Sequence, residues 1–200
     1  MDIAVFSKAP QPGTVKTRLI PTLGSMGAAR LQRSLTLTAL RLAKRFNPEN
    51  TILWCAPDTR HHFFRALNAY CGVTISGQTG NDLGERMHQA FVTHAAPLLL
   101  IGTDCPVLQM EHLETASGVL HDGKDAVFIP AEDGGYVLVG LRRPRSRVFE
   151  NIDWGSNKVM EQTRQRLNEL GLCWVELETL WDIDRPSDLE RFHSIKSAVE

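Results

Sequence analysis

Two hundred residues and 22.3 kDa correspond to a single globular domain over residues 1–200, with little room for a second. Hydrophobic residues at 42% and charged residues at 22% exclude a disordered or collagen-like chain, and no apolar run is long enough to span a bilayer. The formal net charge of −1 hides an asymmetry, because Ile3 to Pro48 contains no acidic residue but eight basic ones: Lys8, Lys16, Arg18, Arg30, Arg33, Arg41, Lys44 and Arg45.

The chain opens directly on an apolar strand, Ile3–Phe6, with no basic-then-apolar leader before it. Four cysteines, Cys55, Cys71, Cys105 and Cys173, are widely spaced and form no Cys-x-x-Cys pair. A cytoplasmic protein without a disulfide framework or structural zinc site is expected, its cysteines filling the core. Further strands are predicted at Thr51–Ala56, Val73–Ser76, Leu98–Gly102, Ala126–Ile129, Tyr136–Leu141 and Cys173–Leu177.

Between these strands, apolar residues recur at helical spacing: Leu31, Leu35, Leu42 and Phe46; Leu83, Met87, Ala90, Phe91 and His94; Val159, Thr163, Leu167 and Leu170. Gly171 follows the third of these as a C-terminal cap, and Ser187 with Glu190 reads as a capping box for a last helix. Alternating strands and helices imply a three-layer α/β/α domain with a mixed, mainly parallel sheet. The link between Ala126–Ile129 and Tyr136–Leu141 is too short for a crossover helix, so that pair is expected to be antiparallel.

In open α/β sheets ligands bind beyond the carboxyl ends of the strands. After the first strand comes FSKAPQPGTVKTRL, residues 6 to 19. Its Pro and Gly residues shape an irregular loop in which Lys8, Lys16, Thr17 and Arg18 supply cations and donors, with amides around Gly13 and Thr14 as an anion nest. It has neither the P-loop nor the dinucleotide pattern; it serves either a di- or triphosphate or only as a connector. After the fourth strand Asp104 either holds Mg²⁺ or Mn²⁺ against phosphates or caps the following helix. Glu132 and Asp133 precede a double glycine that also suits a hairpin turn. Asp182 and Asp184, two apart, point to one side of an extended chain or lie in an exposed turn.

Taken together, a cationic loop faces several carboxylates, with no candidate for covalent catalysis. The basic residues lack the interleaved aromatics of a single-strand binder, and five of them form one helix face, so no nucleic-acid partner is expected.

FSKAPQPGTVKTRL and EDGGYVLVGL, in this order, resemble the GT-A-type nucleotide-diphospho-sugar transferase superfamily. The chain is most similar to a poorly characterised bacterial family described in part as arsenosugar-biosynthesis glycosyltransferases. It also resembles the guanylyltransferases of deazaflavin cofactor synthesis, which share a Lys-Thr-Arg-Leu loop. The resemblance runs from Ile3 to about Phe192 and implies a GT-A-like fold.

It further implies that Lys8, Gly13, Lys16, Thr17 and Arg18 bind nucleotide phosphates, with Asp82, Gly84 and Arg86 near the nucleotide. Asp104 and Asp184 take the metal positions, and Asp133, Gly134 and Gly135 take the acceptor loop. Two motifs depart from the pattern: the usual Asp-x-Asp is only Thr103-Asp104, and the nucleotidyltransferase Gly-x-Gly-x-Arg loop is replaced. The expected function is a metal-dependent transferase of a nucleotide-activated donor to a small-molecule acceptor, with Asp104, Asp133 and Lys16 as catalytic residues and Mg²⁺ or Mn²⁺ as cofactor. A nucleotide-sugar glycosyltransferase leads; a nucleotidyltransferase acting on a nucleoside triphosphate and a non-catalytic nucleotide-binding protein are the alternatives.

Overall fold

The computed structural model describes residues 1–47, 50–94 and 97–199, with side chains through Ile195. Seven strands form one sheet: β1 (Asp2–Lys8), β2 (Thr51–Ala56), β3 (Thr74–Gly77), β4 (Leu98–Ile101), β5 (Ala126–Pro130), β6 (Tyr136–Leu141) and β7 (Trp174–Glu176). Their spatial order is β3-β2-β1-β4-β6-β5-β7. β6 alone runs against its neighbours, antiparallel to both β4 and β5, and the remaining pairings are parallel. The short 131–135 link permits no other arrangement.

Strand periodicity sorts side chains onto two faces. Ile3, Val5, Leu53, Leu99, Ile101, Val127 and Ile129 point to one face. There they meet α1 (Ile20–Phe46), α2 (His62–Cys71) and α4 (Met110–His121) through Leu40, Phe64 and Leu113. Ala4, Phe6, Trp54, Leu98, Leu100 and Phe128 point to the other, against α3 (Leu83–Thr93) and α5 (Val159–Glu169). Each fully buried Leu, Ile or Phe contributes roughly 1.5–3 kcal/mol relative to exposure, so the two faces together fix the three-layer stack.

A third cluster, Leu19, Leu35, Trp181, Ile183, Leu189 and Phe192, anchors α6 (Pro186–Val199) beside the N-terminal end of α1. This small core brings the last segment of the chain to the loop that follows β1.

Several local expectations change. α1 begins at Ile20, well before its first periodic leucine, and breaks at Gly24 (φ 68°, ψ 164°). Its Arg30, Arg33, Arg41 and Arg45 do form an exposed face. β3 starts at Thr74, with Val73 buried just before it, and β7 is shorter than its apolar run.

Gly171 (φ 62°) caps α5, as the Leu172 amide bonds the Leu167 carbonyl. For α6 the acid is Asp188, not Glu190: its Oδ2 accepts from the amides of Asp184 at 2.9 Å and Arg185 at 2.6 Å. Pro186 supplies the helical φ at the first position. All four cysteines are free, but only Cys55 is core; Cys71 and Cys173 are exposed and Cys105 is half-buried. Among the described residues no helix is long and apolar enough to cross a membrane.

Candidate functional site

The carboxyl ends of β1 and β4 lie side by side, since Ala4 pairs with Leu100 and Val5 with Ile101. Beyond them opens a cleft of about 490 Å³. The loop after β1 supplies Lys8, Thr14, Lys16, Thr17 and Arg18 to its wall; the end of β4 supplies Thr103 and Asp104; the final segment supplies Asp182 and Asp184.

Lys16 organises the cleft. Its backbone sits in the left-handed region (φ 48°, ψ 42°), which a residue with a Cβ adopts only under compensation. The compensation is on its side chain, buried to 3% exposure, where Nζ lies 2.9 Å from Asp104 Oδ2 and donates to the Ile183 carbonyl at 2.5 Å. One ammonium thus ties the β1 loop, the β4 end and the C-terminal segment together. Arg18 makes a second tie, an ion pair through Nη1 with Asp184 Oδ2.

Acidic groups dominate the far side. Burial, followed by the nearby charges of Asp133 and Asp104, pushes the Asp182 carboxyl up to about 7, with Lys16 opposing. Cys105 next door is no nucleophile, because burial pushes its thiol up to about 11.

A second cleft of about 400 Å³ shares Arg18, Asp182 and Asp184 with the first and adds Glu132, Asp133, Ser156, Asn157 and Trp181. Its 132–135 turn is rigid: Asp133 Oδ1 accepts from the Gly135 amide at 2.9 Å. Gly134 (φ 92°) packs so closely that a Cβ would lie 2.1 Å from the Asn157 carbonyl oxygen. Arg191 of α6 bonds both oxygens of Glu132, at 3.0 and 2.9 Å, with its guanidinium 4.4 Å from the Trp181 ring centroid.

A third cleft, about 380 Å³, continues from the first past Lys8 and Thr14 toward Ala9, Ala56, Pro57 and Arg86. Gln78 stands between the two, its Nε2 donating to the Trp54 carbonyl at 2.9 Å. That orientation leaves Oε1 as the group a ligand would meet.

The structure therefore gathers Lys8, Lys16, Thr17, Arg18, Asp104, Asp133 and Asp184 around two joined clefts, with Arg86 in the third. Three expected residues lie elsewhere, among them Gly84, which is buried on α3 against Phe149 and Trp154. Gly13 (φ 85°) forms the turn behind the loop, and the Thr14 amide donates to the Gln11 carbonyl at 3.2 Å, so it is no open nest. Asp82 lines none of the three clefts; its Oδ1 caps α3, accepting from the Glu85 amide at 2.8 Å. Gln32, Gln78, Thr103 and Asn157 enter the clefts or their walls without any local sequence signal, because the fold alone brings them there.

Among the described residues no three His, Cys, Asp or Glu side chains converge on a point that a metal ion would fill. Mg²⁺ bridged to phosphates needs only one or two carboxylates, the remaining positions going to phosphate and water. The crowding of Asp104, Asp133 and Asp182, evident in the raised Asp182 carboxyl, is chemistry that a hard dication relieves. The donor set fits a metal shared with a ligand rather than a protein cage.

A mixed, mostly parallel seven-stranded sheet with this edge is the fold of the nucleotide-diphospho-sugar transferases. The chain belongs to the bacterial family described as "uncharacterized protein conserved in bacteria" (DUF2064), whose sequence pattern matches residues 39–156. It is similar to a protein of Desulfovibrio desulfuricans G20 assigned to the nucleotide-diphospho-sugar transferases, with 30% identity over 92% of this chain and 84% of that one and a TM-score of 0.81.

More distant likenesses show the fold alone. A 4-diphosphocytidyl-2C-methyl-D-erythritol synthase of Anaerococcus prevotii DSM 20548 matches at 11% identity, 98% and 96% coverage and a TM-score of 0.64. A molybdopterin-guanine dinucleotide biosynthesis protein A of Archaeoglobus fulgidus matches at 17% identity, 99% and 100% coverage and a TM-score of 0.59. Comparison with curated protein sequences gave no match.

Proposed function

We propose that the protein is a metal-dependent transferase whose donor is a nucleotide sugar and whose acceptor is a small hydroxylated molecule. One observation carries the reading: buried Lys16 and exposed Arg18 stand directly against Asp104 and Asp184 in one cleft at the strand ends. Such pairs are self-neutralised without ligand and exchange partners with it. Lys16, Arg18, Thr17 and Lys8 bind the donor phosphates, and Asp104 and Asp184 are the residues that would hold Mg²⁺ or Mn²⁺. The bound dication would supply charge neutralisation on the diphosphate.

The nucleoside lies in the third cleft, beside Gln78 and Arg86, and the acceptor in the second, beside Asp133. Transfer forms a bond from the acceptor oxygen to the anomeric carbon and breaks the bond from that carbon to the diphosphate. Asp133 takes the acceptor proton as a general base, and Lys16 and Arg18 hold the charge that gathers on the leaving diphosphate. The likeness to the D. desulfuricans protein and the fold shared with nucleotidyl transferases support a nucleotide-activated donor.

The test is a thermal-shift panel of nucleoside diphosphates, nucleoside triphosphates and nucleotide sugars, each with and without Mn²⁺ or Mg²⁺. A ligand bound at a hundredfold excess over its Kd stabilises by about 2.7 kcal/mol, and a metal-dependent shift selective for one base is expected. Incubation of that donor should then release nucleoside diphosphate. Release of pyrophosphate from a triphosphate would assign nucleotidyl transfer instead, and no shift from any nucleotide would overturn the transferase reading.

A further inference from the structure

A chain of buried polar groups reaches Asp104 from the opposite side to Lys16. Ser7 at the end of β1, Gln32 and Thr36 on α1, and Thr103 after β4 are each at most 5% exposed. Ser7, Gln32 and Thr103 close the wall of the first cleft, and at this burial the donors and acceptors of all four are matched mainly within the network.

The hydrogens can be assigned by counting. Thr36 has one hydroxyl hydrogen, and Oγ1 donates it to the Gln32 carbonyl at 2.8 Å. In its 2.9 Å contact with Ser7 Oγ, Thr36 is therefore the acceptor, and Ser7 shares its one hydrogen between Thr36 and the more distant Lys8 carbonyl at 3.2 Å. The Gln32 side chain must likewise present its NH₂ group to Thr36 Oγ1, 3.4 Å away. Reversed, the amide oxygen would face a hydroxyl oxygen with no hydrogen between them.

With the amide fixed, its second N–H points to Thr103 Oγ1 at 3.1 Å. Thr103, already accepting, directs its own hydrogen to Asp104 Oδ1 at 3.1 Å. Lys16 holds the other oxygen, Oδ2. Each carboxylate oxygen receives one protein donor and keeps lone pairs toward the cleft.

We infer that Gln32 and Thr103 are positioning residues: the buried Thr36–Gln32–Thr103 relay holds the Asp104 carboxylate in a single orientation for a metal–diphosphate ligand. The role rests on the transferase reading proposed above; the relay itself rests only on these contacts. Both stand in the wall of the first cleft, where they act on Asp104 rather than on the diphosphate.

The experiment uses two readouts on the full chain. In ligand-free protein, the ¹³C shift of the Asp104 carboxyl should move in Thr103→Val and in Gln32→Glu, whose side chain lacks the NH₂ group that holds the Thr103 hydroxyl toward Asp104. Thr103→Ser should leave it in place. Calorimetry with inorganic pyrophosphate and Mn²⁺ should show about tenfold weaker binding for Thr103→Val, the scale of one hydrogen bond to a charged group, and recovery in Thr103→Ser. The Gln32→Glu/Thr103→Val double variant should bind no more weakly than Thr103→Val.

An unmoved carboxyl shift in Thr103→Val, or wild-type binding by it, overturns the inference. Additive losses in the double variant do the same. If Gln32→Glu does not fold, the Val and Ser variants at position 103 decide alone. Failure of the wild type to bind pyrophosphate with Mn²⁺ sinks the proposed function, while the carboxyl shift still decides the relay.

Discussion

Lys16 Nζ and Asp104 Oδ2 face each other at 2.9 Å, joining the first loop of the chain to the end of the central strand β4. The ammonium is shielded from solvent while the carboxylate is nearly half exposed, so the pair is held from the Lys16 side. A charge-removing change there should affect both ligand binding and the loop.

Under the proposed function, Lys16→Ala and Lys16→Gly should both lose at least a hundredfold in transfer rate, because either removes the buried cation that faces Asp104. They should differ in stability. At φ 48° glycine avoids the left-handed cost of roughly 1–2 kcal/mol that alanine retains, so the Gly variant should be the more stable in urea unfolding. Equal midpoints would show that the backbone there relaxes freely. Asp104→Asn should keep the fold and abolish turnover.

Asp182 gives a pH signature. Its carboxyl lies at about 7 in the folded protein against an ordinary value of 3.8. The folded state therefore keeps a proton that the unfolded chain releases, and stability falls as pH rises between about 4 and 7. In buffer with EDTA, Asp182→Asn should be more stable than wild type at pH 8, by about 1–2 kcal/mol after solvent screening, and no more stable at pH 4. A pH-independent difference would exclude this carboxyl as the source.

Arg191 bonds Glu132 at the start of the 132–135 turn and lies over the Trp181 ring. With both ionic partners about half exposed, Arg191→Ala should cost less than about 1 kcal/mol of stability. Steady-state kinetics should instead show a raised KM for acceptor with the donor KM unchanged. A change confined to the donor would place Arg191's influence in the other cleft.

Gly134→Ala forces a Cβ onto the backbone of Asn157. It should destabilise the fold by at least 2 kcal/mol and impair transfer, measured together by thermal melting and turnover. An active, fully stable variant would mean that the 155–157 loop moves at little cost.

Sheet and layers could be read from short-range pattern. Each strand carries its apolar run, and the β5–β6 reversal follows from a link too short to cross over. The cationic loop and the acidic residues at 104, 133, 182 and 184 were also visible, since strand ends mark the functional edge. The pairing of Lys16 with Asp104 and of Arg18 with Asp184 was not, because it depends on the Trp181–Ile183–Leu189 core docking α6 beside α1. Asp82 illustrates the opposite limit: an acid before a helix looks the same whether it meets a ligand or caps the helix. Gln32 and Thr103 sit inside ordinary helical and strand-end sequence, and only tertiary packing joins them.

The reversed β6 divides labour along the chain. β5 ends at the same edge as β1 and β4, and the reversed β6 sets out from there, so residues 131–135 stand at that edge opposite the loop after β1. Arg18, Asp182 and Asp184 are shared between the two clefts. Under the proposed function, a relative could diversify its second substrate by varying the 132–135 turn and the 155–157 loop while keeping the Lys16–Asp104 pair, much as a tool holder accepts different bits without a change of motor.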